Sequence, residues 1–309
     1  MPDPIEKINN LEQNIRAMEQ ELLDIKEDYL TNDGEIDSEE QAHLDEMFGV
    51  IKDAVEELFQ RKAALPPEIT KDVYLAGTYE QDNYTPSTSL GLFDVSLDPS
   101  TGRLEVMTKI KFDFVDGTAA EFVGHTGQSH IWSDAEKTTW KNSFIALLEG
   151  RWGGKFHFVH PDMPNVQVYV DVEIEEANAG WHYEANITKI PKGEWKGSAV
   201  QYSTGTNQPD TLEATLDSGD LEWADKGAGE KQKGAVHEYG HMIGLDDEYA
   251  VDGAIAHAAM VRSALGTVLI EQTSNDIMSG GNTIEKHHYI TFLQALKDIT
   301  NLNKWQFKN

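Results

Sequence analysis

One stretch limits the folds open to this chain more than any other. It reads Gly234-Ala235-Val236-His237-Glu238-Tyr239-Gly240-His241-Met242-Ile243-Gly244-Leu245-Asp246-Asp247-Glu248-Tyr249. His237 and His241 are four apart, so on a helix they share a face and both imidazoles can point at one ion. Glu238 sits beside the first of them, where it can reach a water on that ion without binding the ion itself. Gly244 falls three residues after His241, where the helix must stop and turn; glycine takes the left-handed conformation this needs. A chain turning there brings Asp247 back under the same ion as an oxygen ligand. Two nitrogen ligands, a third protein ligand, one open position and a carboxylate base suit zinc-assisted hydrolysis. Asp246, Asp247 and Glu248 are consecutive acids, so the third ligand is Asp247 or Glu248, and spacing favours Asp247. His287 and His288 are further candidates, because histidine is the commonest metal ligand.

Composition narrows the chemistry further. There is no cysteine among the 309 residues. That excludes thiolate zinc sites, disulfide scaffolds and a cysteine nucleophile, and leaves any metal to nitrogen and oxygen ligands. The formal charge is −29, which repels phosphate backbones and anionic headgroups, so nucleic acid and membrane surfaces are poor partners. No apolar run approaches the ~18 residues of a membrane span. The start, Met1-Pro2-Asp3-Pro4-Ile5-Glu6, lacks the basic region and apolar stretch of a secretory signal. The expectation is a cytoplasmic protein, or one exported by a route that needs no such signal, with a slight tilt toward an exported effector.

The charge is concentrated. Residues 1–70 hold 19 acids and 6 bases, a net of −13. Their apolar residues fall on two seams of coiled-coil spacing: Ile8, Leu11, Ile15, Met18, Leu22, Ile25 and Tyr29, then Leu44, Met47, Ile51, Ala54, Leu58 and Leu65. Turn chemistry lies between them at 31–37, with Ser38 and Gln41 as a capping box for the second helix. The expectation is an antiparallel helical hairpin over 1–67, ended by Pro66-Pro67 and available to a docking partner, with a second domain over 68–309. Within its turn, Asp33–Glu40 resembles the later half of a Ca2+ loop but lacks the leading aspartate; a plain turn and helix cap is the better reading.

Beyond the prolines, Val73–Tyr79, Leu90–Leu97, Arg103–Phe114, Val166–Ile174 and Tyr183–Ile190 read as strands. Asp98–Gly102 reads as a hairpin turn. Ser133 and Glu136 cap a helix reaching about Leu148. Residues 191–230 read mostly as loop. Helices are expected near 231–243, 254–268 and 289–299. The fold class is α+β.

The span His237–Asp247 resembles the zinc signature of the metzincin peptidases, with aspartate in place of their usual third histidine. Ser274-Asn275-Asp276-Ile277-Met278-Ser279-Gly280-Gly281 resembles the methionine-bearing turn that this clan carries beneath the metal. The resemblance covers roughly 231–285. It implies a metzincin-like domain with a twisted mixed sheet above the active-site helix, whose edge strand can pair with an extended substrate. It also implies one catalytic Zn2+, Glu238 as general base, Met278 and Gly244 in structural roles, and a protein or peptide substrate. No tyrosine follows Met278 closely, so Tyr249 and Tyr289, with His287 and His288 as further substitutes, are the candidates to stabilise the transition state. The helical module together with the motif also resembles predicted bacterial proteases tied to contractile injection particles. The competing expectation is an inactive peptidase-like component of a larger assembly, docked through its acidic hairpin.

Overall fold

Two separate apolar clusters organise the chain in a computed structural model, which describes residues 4–33, 36–63, 69–88, 90–201, 212–227, 229–248, 258–265 and 275–308. The smaller joins α1 (Pro4–Asp33) to α2 (Ser38–Ala63). Ile8, Ile15, Leu22, Leu44, Ile51, Val55 and Leu58 are buried in it, and the other described seam residues pack against them; Leu65 lies outside the described residues. Near the connection, the Tyr29 hydroxyl meets His43 Nδ1 at 2.7 Å. The helix cap sits one residue earlier than the sequence suggests. Asp37 Oδ1 accepts from the amides of Glu39 and Glu40, while Glu40 Oε2 accepts from the Asp37 amide. These two carboxylates thus serve the cap; the Asp33 side chain lies outside the described residues.

The larger cluster lies under a mixed nine-stranded sheet, and the architecture is α+β. After α3 (Lys71–Leu75) come β1 (Tyr79–Tyr84), β2 (Phe93–Asp98) and β3 (Arg103–Val115), followed by α4 (Asp134–Trp152). Next are β4 (His157–His160), β5 (Met163–Glu176), β6 (Tyr183–Thr188), β7 (Ala199–Val200) and β8 (Leu212–Asp217). A small ribbon, β9 (Ala224–Gly227) with β10 (Glu230–Gln232), leads into α5 (Gly234–Met242). The chain ends with α6 (Ala258–Leu265), a 3₁₀ turn at Lys286–Tyr289, α7 (Ile290–Thr300) and β11 (Gln306–Phe307).

The main path of the sheet runs β11-β4-β5-β3-β6-β8-β7. Strands β3, β5, β6 and β8 are parallel; β2, β4, β7 and β11 join antiparallel. β3 is long enough to change partner along one side, from β2 at Arg103–Met107 to β6 at Ile110–Val115. Its alternation buries Leu104, Val106, Thr108 and Ile110 on one face, the period of a strand with one dry side. The other face carries ions: Arg103 pairs with Glu105, Asp171 and Glu173, and Lys111 with Glu184. The turn at Gly102 and the Ser133–Glu136 capping box form as the sequence indicates.

Three expectations need correction. Val73–Tyr79 is no strand: Thr70 caps the short helix α3, and β1 starts only at Tyr79. The span 191–230, read as loop, holds β7, β8, β9 and the start of β10. β4 and β11 were not anticipated at all. Strands of two to four residues are too short to display a period. Among the described residues, no helix is long and apolar enough to cross a membrane.

Candidate metal centre

The motif helix α5 is held on every side before any ligand is considered. The Trp152 indole N–H of α4 donates to the Val236 carbonyl at 3.1 Å. Thr108 Oγ1 of β3 lies 3.1 Å from the Tyr239 hydroxyl, and the Tyr183 hydroxyl of β6 donates to the Met242 carbonyl at 3.0 Å. The Leu92 amide donates to that same carbonyl at 3.1 Å. All of these groups are buried, so the helix register is fixed by hydrogen bonds that water cannot replace.

At the end of α5 the backbone turns at Gly244, whose φ is +94°. The Gly244 amide donates to the His241 carbonyl and the Leu245 amide to the Gly240 carbonyl. That turn returns the chain so that Asp247 Oδ1 lies 3.2 Å from His237 Nε2 and 3.3 Å from His241 Nε2. The three ligand atoms the sequence favours are therefore brought together.

The far nitrogens decide what those three atoms can do. His237 Nδ1 lies 2.7 Å from the Ile277 carbonyl oxygen, and His241 Nδ1 lies 3.0 Å from that of Leu245. A carbonyl only accepts, so each Nδ1 carries the proton, and in the neutral ring each Nε2 presents a lone pair. Two lone pairs and an ionised carboxylate oxygen then converge at about 3.3 Å. Asp247 Oδ1 is buried and makes no hydrogen bond among the described residues. Either both rings take a second proton in a buried site, or one cation stands among the three. Tetrahedral zinc with bonds of ~2.0–2.1 Å sets neighbouring ligand atoms ~3.3–3.4 Å apart, so the residues fit such an ion. Burial opposes ionisation of Asp247, but when the rings take that second proton, Nε2–H donation and positive charge from His237 and His241 outweigh burial and hold the carboxyl well below the usual range.

Glu238 shares the buried neighbourhood, and its Oε2 has no hydrogen-bond partner among the described residues. Burial pushes its carboxyl up, against the lowering effect of His237 and His241. Met278 is fully buried beneath the helix. A methyl added at Gly240 would lie 2.2 Å from the Met278 sulfur, so the helix rests on the thioether between its two histidines.

The remaining candidates go elsewhere. Glu248, His287 and His288 do not join the first three ligands; with Asp276 they form a second group. The Tyr289 hydroxyl donates to the Trp152 carbonyl and accepts from the Lys155 amide, which removes it as a transition-state group. Tyr249 lies outside the described residues.

Sequence reasoning missed Gln232. Its buried side-chain amide donates to the carbonyls of Ile277 (2.8 Å), Ser279 (2.8 Å) and Gly281 (3.0 Å). It clamps the loop whose Ile277 carbonyl orients His237; no motif letter marks it. Asp220 was also missed. Its carboxylate lies against Gly234 at the start of α5 and accepts from Ser198 and from the amide of Asp217, the last residue of β8. Burial, with the Asp217 carboxylate second, pushes it up to about 7.

A cleft of about 1400 Å³ runs past the start of α5, lined by Trp132, Trp140, Trp195, Trp223, Lys226 and Lys233 among others. None of the metal-facing residues lines it. Comparison with protein-family models, with curated proteins and with solved structures finds no match to this chain.

Proposed function

We propose that the chain is a zinc-dependent endopeptidase of metzincin type. The observation that carries this is the convergence of His237 Nε2, His241 Nε2 and Asp247 Oδ1, with both Nδ1 atoms committed to carbonyls. Zinc bound there supplies Lewis acidity, making a water acidic enough to ionise near neutral pH and polarising a peptide carbonyl. Glu238, kept beside the ion by its place in the motif, takes the proton from the attacking water. It then returns that proton to the departing amine. Burial raises its affinity for the proton, which suits a group that must both accept and release one. His237 and His241 keep their orientation through Ile277 and Leu245. Met278 packs under the helix and takes no part in the chemistry.

The substrate is a protein or peptide in extended form. Supporting this, β7 is the edge of the sheet among the described residues and lies beside α5, and a sheet edge can accept an extended strand. The exposed rings of Trp195 and Trp223, each with a lysine over its face, offer side-chain contacts in the neighbouring cleft. The helices α1 and α2 act as an acidic docking module for a partner. We further propose that the protein acts as an exported effector, since a free protease endangers the cell that makes it.

Digestion of a peptide library with and without chelator tests the activity. Glu238→Ala is expected to retain zinc while losing cleavage by ~10²–10⁴-fold. Full cleavage by that variant would sink the mechanism. A second reading, an inactive peptidase-like component docked through α1 and α2, rests on the net charge of −13 carried by residues 1–70, which contain them. It predicts zinc without cleavage of any library member.

A further inference from the structure

The residues that part company with the catalytic trio form a site of their own. Glu248 Oε1 lies 3.1 Å from His287 Nε2, which lies 3.7 Å from Asp276 Oδ2; His288 Nε2 is 3.3 Å from Glu248 Oε1. The four ligand atoms lie within 4.8 Å of one another. Three chain segments supply them: the return after α5, the methionine-bearing turn and the 3₁₀ turn at Lys286–Tyr289. The side chains of Glu248, Asp276 and His288 are more than nine-tenths buried, and that of His287 is 13% exposed.

The two histidines are not equivalent. His288 Nδ1 accepts the backbone N–H of Glu285 at 2.8 Å. In the neutral ring that leaves the proton on Nε2, which faces Glu248 as a donor and is unavailable to a metal. His287 Nε2 instead faces two carboxylates. We propose that Glu248, Asp276 and His287 hold a second divalent cation, with His288 beside Glu248 but outside the coordinating set. The spacings of 3.1 and 3.7 Å bracket the ~3.3–3.4 Å between ligands of a tetrahedral ion. The shorter of them is close to the 3.2 and 3.3 Å of the first cluster.

Charge leads the same way. Two carboxylates in one buried group carry a charge of −2 when ionised, and a single histidinium cancels only half of it. A dication cancels all of it. An imidazole in the set favours a zinc-like ion over Ca2+, which takes oxygen alone. Here the ion is a clasp. Asp247 belongs to the catalytic trio and Glu248 to this site, so one peptide link joins the two. The Glu248 amide also donates to the Met278 carbonyl at 2.8 Å, tying the return segment to the methionine-bearing turn. The site stands whether or not the chain cleaves peptides.

Anomalous diffraction at the zinc edge, on crystals of the full unmodified chain grown with added zinc, is the direct test. Two peaks are expected, one among His237, His241 and Asp247, the other among Glu248, Asp276 and His287. A single peak at the first trio overturns the second site and leaves an ion-paired histidine cluster in its place. No peak at either overturns this inference and the zinc reading together. In solution, metal analysis should give two zinc ions per folded chain. It should give one for His287→Gln or Asp276→Asn, with cleavage chemistry still supported by the first ion. Two ions retained in both variants, checked as folded by circular dichroism, would also overturn it.

Discussion

Two glycines, one inside α5 and one just past its end, face different obstacles, and substitutions should tell them apart. At Gly240 an added methyl meets the Met278 sulfur at 2.2 Å, a flexible side chain that a smaller residue can vacate. At Gly244 it meets the Leu90 carbonyl oxygen at 2.8 Å and the Pro86 ring at 2.7 Å, with φ already at +94°. Gly240→Ala is expected to cost about 1–3 kcal/mol by overpacking and to regain part of that in the Gly240→Ala/Met278→Ala double variant. Gly244→Ala should cost at least ~2 kcal/mol with no rescue from Met278→Ala. Urea unfolding midpoints of the four variants decide the matter; equal rescue of both would show that the thioether contact is not what selects glycine at 240.

Element α5 begins against an acid that folding keeps partly protonated. Asp220 titrates near 7 in the fold and near ~3.9 in an unfolded chain. Its folded value is the higher one, so the native state holds the proton longer. Stability therefore falls as pH rises from about 4 to 7, by at most ~4 kcal/mol. Asp220→Asn cannot ionise, so its stability relative to the native chain should climb over that window and level off above it. A difference that stays constant with pH would rule this out. The same element shows what sequence could and could not reveal. Spacing alone placed His237, His241 and Asp247 together, because a helix and a glycine turn are local geometry. It could not send Glu248 away from Asp247, since that depends on Asp276 and His287 from distant segments. Nor could it see Gln232 or Asp220, whose partners are backbone groups that no side-chain pattern announces. Long strands such as β3 and β5 were legible by alternation. β8 alternates too, but its polar flanks hid it, and Val73–Tyr79 misled because β-branched and aromatic residues also occupy a capped helical turn.

On the scale of the whole molecule, a buried ion pair ties the acidic helices to the rest. Arg262 Nε of α6 lies 3.0 Å from Glu19 Oε1 of α1, with both side chains under a tenth exposed. Removing one partner strands the other, so Arg262→Met should cost about 3–5 kcal/mol. Replacing both, as Glu19→Leu/Arg262→Met, should return most of it. A double variant as unstable as the sum of the singles would mean that the pair does not couple these elements. Chelation offers a parallel check at this scale. Removing an ion that binds only the folded state lowers the melting temperature, and zinc, added back, should restore it.

The clamp of Gln232 and His237 onto residues 277–281 sets an order of events during synthesis. The H-E-x-x-H helix leaves the ribosome some forty residues before the carbonyls that orient it. Until Ile277 arrives, His237 has no acceptor to fix which nitrogen bears its proton. A nascent chain thus carries every letter of the motif and still lacks the oriented His237, which is set only once residues 277–281 have been made and have folded back.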